Sequence, residues 1–211
     1  MTTTASSRLL QLALPLVKTH GFTREALSFS VLSLPTPHTQ PLPDAAVTSL
    51  FGQGDDASRT LIHAWLDDAR VQMSSSHSSN MREILKARLK ANQPVLPHLP
   101  QAFALLASSS KYIPVDPSPI LEHAAKVADQ ACWMAYSDAK EISWYIRRAS
   151  ISAIYAATEL HQFTSPETTD EFLESLLDQS SDIEKSAAEV KLFGTYVWKS
   201  WAGIIKSSGV L

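Results

Sequence analysis

Apolar residues in this chain recur at steps of three and four positions over most of its length, which is the period of an α-helix. Runs that alternate apolar and polar residues, as exposed strands do, are few, and the 211 residues include only six glycines. Helix start signals recur as well: Ser118-Pro119 and Ser165-Pro166 each place a hydroxyl cap before a proline suited to the first turn. The sequence therefore predicts an all-α protein of about ten helices without strands.

Breaks between the predicted helices divide the chain into three parts. Residues 1–57 are expected to form a small subdomain of three helices, and residues 58–180 a helical core. A polar stretch over 178–182 is predicted to be a hinge. After it, Ser-Asp-Ile-Glu at 181–184 is a capping box that opens a final amphipathic helix within residues 181–211.

The three N-terminal helices resemble the DNA-binding end of the tetracycline-repressor fold. Their net charge indicates whether they could bind DNA. Residues 1–60 contain four basic and four acidic side chains, for a net charge of zero. The candidate recognition helix, residues 44–52, lacks Lys, Arg, Asn and Gln to reach phosphates or base edges. We therefore expect a packing subdomain and no nucleic-acid partner. A ligand-responsive transcriptional regulator of the same fold is the alternative.

Local catalytic signatures are absent from the sequence. No Glu-x-x-His, His-Glu-x-x-His or Gly-x-Ser-x-Gly motif occurs, and the seven histidines are scattered. The single Cys132 excludes an internal disulfide and a cysteine zinc site. We therefore expect no catalytic residues, no metal and no cofactor. An enzyme that acts on a lipid is the second alternative, because a triad assembled from distant residues leaves no local motif.

The charge and apolar runs limit the partners further. A net charge of −3 gives no general attraction to polyanions. No uninterrupted run of about 20 apolar residues exists to span a bilayer. Residues 1–7 have the pattern of neither a signal peptide nor a transit peptide. If the protein is imported into an organelle, we expect its transit peptide to have been removed.

A long helix predicted over residues 139–161 is apolar over most of its circumference. Such a helix is buried centrally or presents a face to something outside the core. Its small residues leave room for a neighbouring helix or a long ligand. Near its start, Trp144 stands beside Arg147 and Arg148. Because Trp and Arg are frequent anchors of protein interfaces, this end is a candidate docking surface, with an ordinary core helix as the alternative.

The last predicted helix, from residue 183 to about 206, combines an apolar stripe that includes two tryptophans with flanking lysines. An in-plane membrane helix has this pattern, since indoles sit at headgroup depth and ammonium groups meet anionic phosphates. Docking on its own domain or on a dimer partner is the alternative. The residues expected to contact the membrane are Phe193, Val197, Trp198, Lys199, Trp201, Ile204 and Ile205.

Residues 141–160, EISWYIRRASISAIYAATEL, resemble the Coq-nine family, the lipid-binding accessory proteins of ubiquinone biosynthesis. The family pattern has an acidic residue followed by Asn-Trp-Tyr and Arg-Ala, and then Ala-x-Tyr-x-x-Thr-Glu-Leu. A Ser-Pro start and a later Phe-Leu pair follow, here Ser165-Pro166 and Phe172-Leu173. Weaker collinear similarity extends through residues 13–52 and 82–106. Two departures are Ser143 in place of Asn and a shorter turn before residue 141.

The resemblance implies a tetracycline-repressor-like, dimeric fold on the matrix side of the mitochondrial inner membrane. It implies a non-catalytic protein that binds an isoprenoid quinone precursor. The partners it implies are the demethoxyubiquinone hydroxylase, to which the lipid is presented, and the wider ubiquinone-biosynthesis complex. By position, the hydroxylase would dock on Glu141, Trp144, Tyr145 and Arg148. The expected wall of the lipid pocket is formed by Leu66, Leu85, Leu89, Leu106, Val127, Trp133, Met134, Ile151, Ile154 and Tyr155.

Overall fold

The computed structural model describes residues 2–35, 38–74, 78–108, 116–136 and 142–183, together with residues 192, 194–197, 199–201 and 203. These residues form α-helices joined by short 3-10 turns, and none of them is in a strand. The all-α prediction of about ten helices is confirmed. The α-helices of the described residues up to 183 are α1 Thr2–Ala13, α2 Val17–His20, α3 Arg24–Phe29, α4 Asp44–Phe51, α5 Asp55–Ser74, α6 Met81–Asn92, α7 Leu99–Ala107, α8 Ser118–Ala135, α9 Ile142–Thr164 and α10 Thr169–Ile183.

The chain divides into two compact units, residues 1–68 and 69–211, here called the N-terminal and C-terminal units. The division falls within α5, whereas the sequence suggested a limit after residue 57. The expected second limit, at residue 180, lies inside α10. The polar stretch predicted to be a hinge is helical, because α10 continues to Ile183. That prediction was wrong: Asp and Ser are poor but acceptable helix residues, and here they extend a helix already held by its apolar face.

The start of the N-terminal unit follows its local signals closely. Pro15 sits in a 3-10 turn over Leu14–Leu16 that separates α1 from α2, because proline cannot donate the i→i−4 hydrogen bond. Gly21 ends α2 at a φ of 66°, a conformation that favours glycine. The Thr23 side chain then accepts a hydrogen bond from the amide of Ala26 and caps α3.

Arg24, the first residue of α3, ties that helix to the next one. Its Nε and Nη2 donate to Asp44 Oδ1 at 2.9 and 2.6 Å, and Nη2 also donates to Thr48 Oγ1 at 2.7 Å. Its Nη1 donates to the carbonyls of Gly52 and Gly54, both at 3.2 Å. The guanidinium therefore satisfies carbonyls at the end of α4 and fixes the path into α5.

We expect Arg24→Leu to lower the free energy of unfolding of the N-terminal unit by about 2 kcal/mol, since hydrogen bonds that involve a charged group contribute about 1.5–3 kcal/mol. Urea unfolding followed by far-UV circular dichroism would measure the change. Arg8→Leu is the matched control, because Arg8 is exposed on α1. Equal stability of the two variants would contradict the bridging role of Arg24.

In the C-terminal unit, α8 and α9 form the most extensive helix pair, and α10 packs against α9. α6 and α7 pack on α8, and a 3-10 helix over Gln93–His98 joins them. The buried apolar side chains come from all of these helices, with Leu85, Phe103, Val127 and Tyr155 each no more than 1% exposed. Within the part of the chain that is described, no helix is both long enough and apolar enough to cross a membrane.

Candidate functional site

An aromatic surface lies where the end of α8 meets the start of α9. Trp133 is 61% exposed and Tyr145 is 68% exposed, and Trp144 lies between them. The Trp133 and Trp144 ring centroids are 6.1 Å apart, and those of Trp144 and Tyr145 are 5.2 Å apart, both in edge-to-face geometry. The three rings therefore form one connected surface, named here, together with Arg148, the aromatic patch.

Arg148 contacts both Trp144 and the neighbouring helix α8. Its guanidinium carbon lies 4.4 Å from the centre of the Trp144 ring, a cation–π distance. Its Nη2 also lies 2.8 Å from Asp129 Oδ1 on α8. Arg148 thus links the indole on its own helix to a carboxylate on the neighbouring one. A partly exposed Trp and an exposed Tyr fixed by an Arg have the composition of an interface hot spot.

The family resemblance predicts Trp144, Tyr145 and Arg148 in one docking site, and the structure brings these three side chains together. Trp133, expected in the pocket wall, lies with them on the surface and not in the core. Its position follows from the end of α8 projecting this side chain outward. Glu141, the fourth expected docking residue, lies outside the described residues.

A second group of polar side chains lies buried inside the C-terminal unit. It is named here the polar network, and each member is no more than 6% exposed. Asn92 Nδ2 donates to Glu159 Oε1 and to Gln162 Oε1, both at 3.1 Å, and Tyr155 Oη donates to Glu159 Oε1 at 2.8 Å. The network thus joins α6, α8 and α9. Its members are Arg88, Asn92, His123, Tyr155, Glu159 and Gln162.

The network sets the charge state of its carboxyl group. Burial by itself raises the pKa of Glu159, but the interactions with His123 and Arg88 and the hydrogen bond from Tyr155 outweigh it, so the pKa lies below its ordinary value. Burial, with the neighbouring carboxylate, raises the pKa of Tyr155. Glu159 is therefore ionised and Tyr155 neutral at neutral pH, which keeps the tyrosine a hydrogen-bond donor.

Sequence reasoning did not identify this network, except for Tyr155, which it assigned to the pocket wall. His123 belongs to no local motif in the sequence, yet its Nε2 lies 3.5 Å from Glu159 Oε1 and the residue is buried. The available signal was the spacing of Tyr155, Glu159 and Gln162 at steps of four and three, which places polar groups together on one face of a largely apolar helix.

Most of the residues expected to line a lipid pocket are closely packed in the protein core. Leu85, Leu89, Leu106, Val127, Ile151, Ile154 and Tyr155 are buried, and Met134 is half-buried. Leu66 is also buried, in the N-terminal unit. Of these, only Leu89 borders either of two clefts of the C-terminal unit described below. The pocket wall stays a prediction.

One cleft, of about 220 Å³, runs beside the end of the chain and is mostly apolar; its lining includes Leu160, Phe172, Tyr196 and Val197. The other, of about 570 Å³, is more polar and lies along α6 and the start of α10; its lining includes Lys86, Leu89, Lys90, Gln162 and Asp170. The two clefts flank α9 at its C-terminal half.

The described residues among 192–203, named here the terminal segment, are helical. Val197 and Trp201 are each 1% exposed, so these two side chains are packed in the core and do not form the outward face expected for membrane contact. Lys199 is exposed. An amphipathic stripe fits a protein core as well as a bilayer, and here Trp201 packs on Phe103 and Phe163. Phe193, Trp198, Ile204 and Ile205 lie outside the described residues.

Comparison with known proteins finds a family match over part of the C-terminal unit. Residues 118–184 match the COQ9 family model, a stretch that contains α8, α9 and α10. The bovine protein named "Ubiquinone biosynthesis protein COQ9, mitochondrial" is 29% identical over 207 residues, which cover 89% of this chain and 60% of that protein. Its human namesake is 27% identical over 207 residues, or 89% and 61% of the two chains.

A fungal relative gives a similar result. The protein of Schizosaccharomyces pombe with the same name is 27% identical over 137 residues, which cover 63% of this chain and 53% of that protein. The chain therefore spans less than two thirds of the length of these curated relatives. All three carry the words ubiquinone biosynthesis and mitochondrial in their names.

Proposed function

Since this chain belongs to the COQ9 family, we propose that it is a non-catalytic lipid-binding protein of ubiquinone biosynthesis that presents an isoprenoid quinone precursor to the demethoxyubiquinone hydroxylase. The curated relatives are named as mitochondrial proteins, which supports a mitochondrial location. The matrix face of the inner membrane is the site we propose within it. A homodimer is part of the same proposal.

The aromatic patch is the observation that carries the partner-docking part. Two exposed rings, Trp133 and Tyr145, bury little surface within the protein, and a solvent-facing group of large aromatic side chains is costly unless a partner covers it. The cation–π contact and the ion pair of Arg148 hold Trp144 in place before binding, which lowers the entropy lost on association. The patch lies inside the stretch that matches the family.

Lipid identity is the direct test of the proposed function. Purification of the full chain from cells that make ubiquinone, followed by native mass spectrometry and solvent extraction, should yield a polyprenylated aromatic lipid. A protein that carries only phospholipid, or no lipid, would contradict the proposal. Turnover of the precursor by the purified protein alone would instead support an enzyme.

Membrane contact can be tested at Lys199, which is exposed on the terminal segment. A basic residue near an anionic surface contributes about 1 kcal/mol, so Lys199→Glu should weaken association with phosphatidylcholine vesicles containing cardiolipin by at least about fivefold. Vesicle co-flotation measures this. Lys126→Glu is the matched control, because Lys126 is exposed on α8 and pairs with Glu122. Equal flotation of both variants would contradict membrane contact through this segment.

A further inference from the structure

Ion pairs join helices α6 and α10 at regular steps. Arg82 on α6 pairs with Asp178 on α10, and one turn further along α6 the Lys86 Nζ lies 2.5 Å from Glu174 Oε1. Each step goes four residues forward on α6 and four residues back on α10, so the two helices run in opposite directions. Side chains four residues apart lie on the same face of a helix. The series therefore predicts a third pair one turn further on.

That third pair, between Lys90 and Asp170, is not formed. Both residues instead line the more polar of the two clefts, of about 570 Å³, named here the polar cleft. Within the described ranges, Lys90 has no ion-pair partner. The pKa of Lys86 is raised first by its hydrogen bond to Glu174, and the charge of Asp170 adds to the rise. Asp170 thus lies near the second pair without belonging to it.

The helix ends explain why these two charges stay apart. Lys90 lies in the last turn of α6, and Asp170 lies in the first turn of α10. The helix dipole stabilises a cation at the C-terminal end of a helix and an anion at the N-terminal end. Each charge is therefore stable without the other, and the polar cleft keeps a cationic group on one wall and an anionic group on the other.

The floor of the polar cleft is held in place by the buried polar network. Gln162 of α9 lines the cleft and is 3% exposed. Its Oε1 accepts a hydrogen bond from Asn92 Nδ2 at 3.1 Å, and its Nε2 donates to the carbonyl of Leu89 at 2.9 Å. The volume of the cleft is that of a small-molecule site, which is typically about 300–1,000 Å³. The cleft therefore has a fixed base and room for a ligand.

The charges around the polar cleft define the ligand that fits it. Two lysines and three carboxylates line it, namely Lys86, Lys90, Glu83, Glu167 and Asp170. Lys86 is already paired with Glu174, so the carboxylates outnumber the remaining cation. A ligand that balances both walls needs one anionic group for the lysine and an excess of cationic groups for the carboxylates.

We propose that the polar cleft is a binding site for a basic amino acid, a small molecule with one carboxylate and two cationic groups. Its carboxylate pairs with Lys90, and its side-chain cation pairs with Asp170 and Glu167. A guanidinium suits this role because it binds carboxylates through two parallel hydrogen bonds. The bound molecule then completes the third step between α6 and α10. The site is distinct from the aromatic patch, since Gln162 and Trp144 lie near opposite ends of α9.

Three matched probes test the two charged contacts separately. L-citrulline has nearly the shape of L-arginine but carries a neutral group in place of the guanidinium, and L-argininamide carries an amide in place of the carboxylate. Each lacks one ion pair, so each should bind at least about fivefold more weakly than L-arginine, the loss expected for one partly exposed pair. Calorimetric titration of the full chain at a fixed salt concentration measures all three affinities.

Variants of the chain assign each contact to its wall. Lys90→Met should abolish the preference for L-arginine over L-argininamide, and Asp170→Asn should reduce the preference over L-citrulline. Glu171→Gln is the matched control and should leave both preferences unchanged, because Glu171 is exposed on α10 next to Asp170 but does not line the cleft. The three substituted residues are all exposed, so the variants should keep the circular dichroism spectrum of the unmodified chain.

Two outcomes overturn the site. One is that the unmodified chain does not bind L-arginine, or binds L-argininamide as tightly, which would indicate attraction to the carboxylates alone. The other is that both preferences persist in Lys90→Met and in Asp170→Asn, which would place the amino acid elsewhere on the chain.

Discussion

Replacement of Glu159 by leucine is expected to lower the free energy of unfolding of the C-terminal unit by about 3–5 kcal/mol, because it removes a buried carboxylate whose charge offsets that of the buried Arg88 and which accepts hydrogen bonds from Asn92 and Tyr155. Arg88 is linked to Glu159 through Asn92, with bonds of 2.6 and 3.1 Å. Chemical denaturation followed by circular dichroism measures the loss. The exposed Glu167, replaced by leucine, is the matched control and should change stability by less than about 0.5 kcal/mol.

A double variant separates the charge effect from simple loss of packing. If the loss of charge balance dominates, Arg88→Met combined with Glu159→Leu should recover at least half of the lost stability. Additive losses in the double variant would show that packing, and not the charge, is responsible.

The stabilising effect of Glu159 should also depend on pH. Its pKa is lower in the folded protein than its ordinary value of 4.5, so the unfolded chain binds the proton more tightly. The contribution is therefore fully present above that value and is lost as the pH falls through the lower, folded pKa. Unfolding curves from pH 7 to pH 3 should show the stability difference between wild type and Glu159→Gln shrinking at the acid end. A constant difference would contradict this.

Trp144→Ala should weaken the proposed capture of the demethoxyubiquinone hydroxylase by about 2 kcal/mol or more, roughly thirtyfold, because hot-spot residues of an interface, among which Trp is enriched, cost at least that much when truncated to alanine. Arg148→Met should cost less, about 1 kcal/mol, since it acts by holding the indole. Surface plasmon resonance with immobilised hydroxylase measures both. Val71→Ala, at an exposed apolar residue of α5, is the control.

The pattern of these losses tests the docking site. Normal binding by both patch variants would exclude the aromatic patch as the hydroxylase interface. A loss for Val71→Ala as large as that for Trp144→Ala would indicate that exposed apolar area in general, and not this patch, drives capture.

Local features of the fold could be predicted because neighbouring residues determine them. Gly21 and Thr23 end one helix and cap the next through bonds within a few residues. Trp144, Tyr145 and Arg148 are close in sequence on one helix, so their proximity also followed from helical spacing. Prediction of the fold class needed only the recurring apolar period.

Features that depend on a third helix could not be predicted in this way. Glu159 interacts with Asn92 on α6 and with His123 on α8, and no sequence pattern within α9 identifies these two residues. The direction of Trp201 is similar: an amphipathic stripe specifies an apolar neighbour, but a bilayer and the rings of Phe103 and Phe163 both provide one. The helical course of α10 through its polar end was missed because Ser and Asp favour caps and turns, although a helix tolerates them.

Helix α9 carries the aromatic patch near one end and the polar network further along. Tyr155 lies seven positions after Arg148, which corresponds to about 10 Å of helix axis. Sliding α9 along its neighbours by one turn would separate Glu159 from Asn92, at a cost far greater than a shifted apolar contact imposes. The buried hydrogen bonds therefore fix the axial register of α9 against its neighbours, and with it the position of the Trp144 ring on the surface.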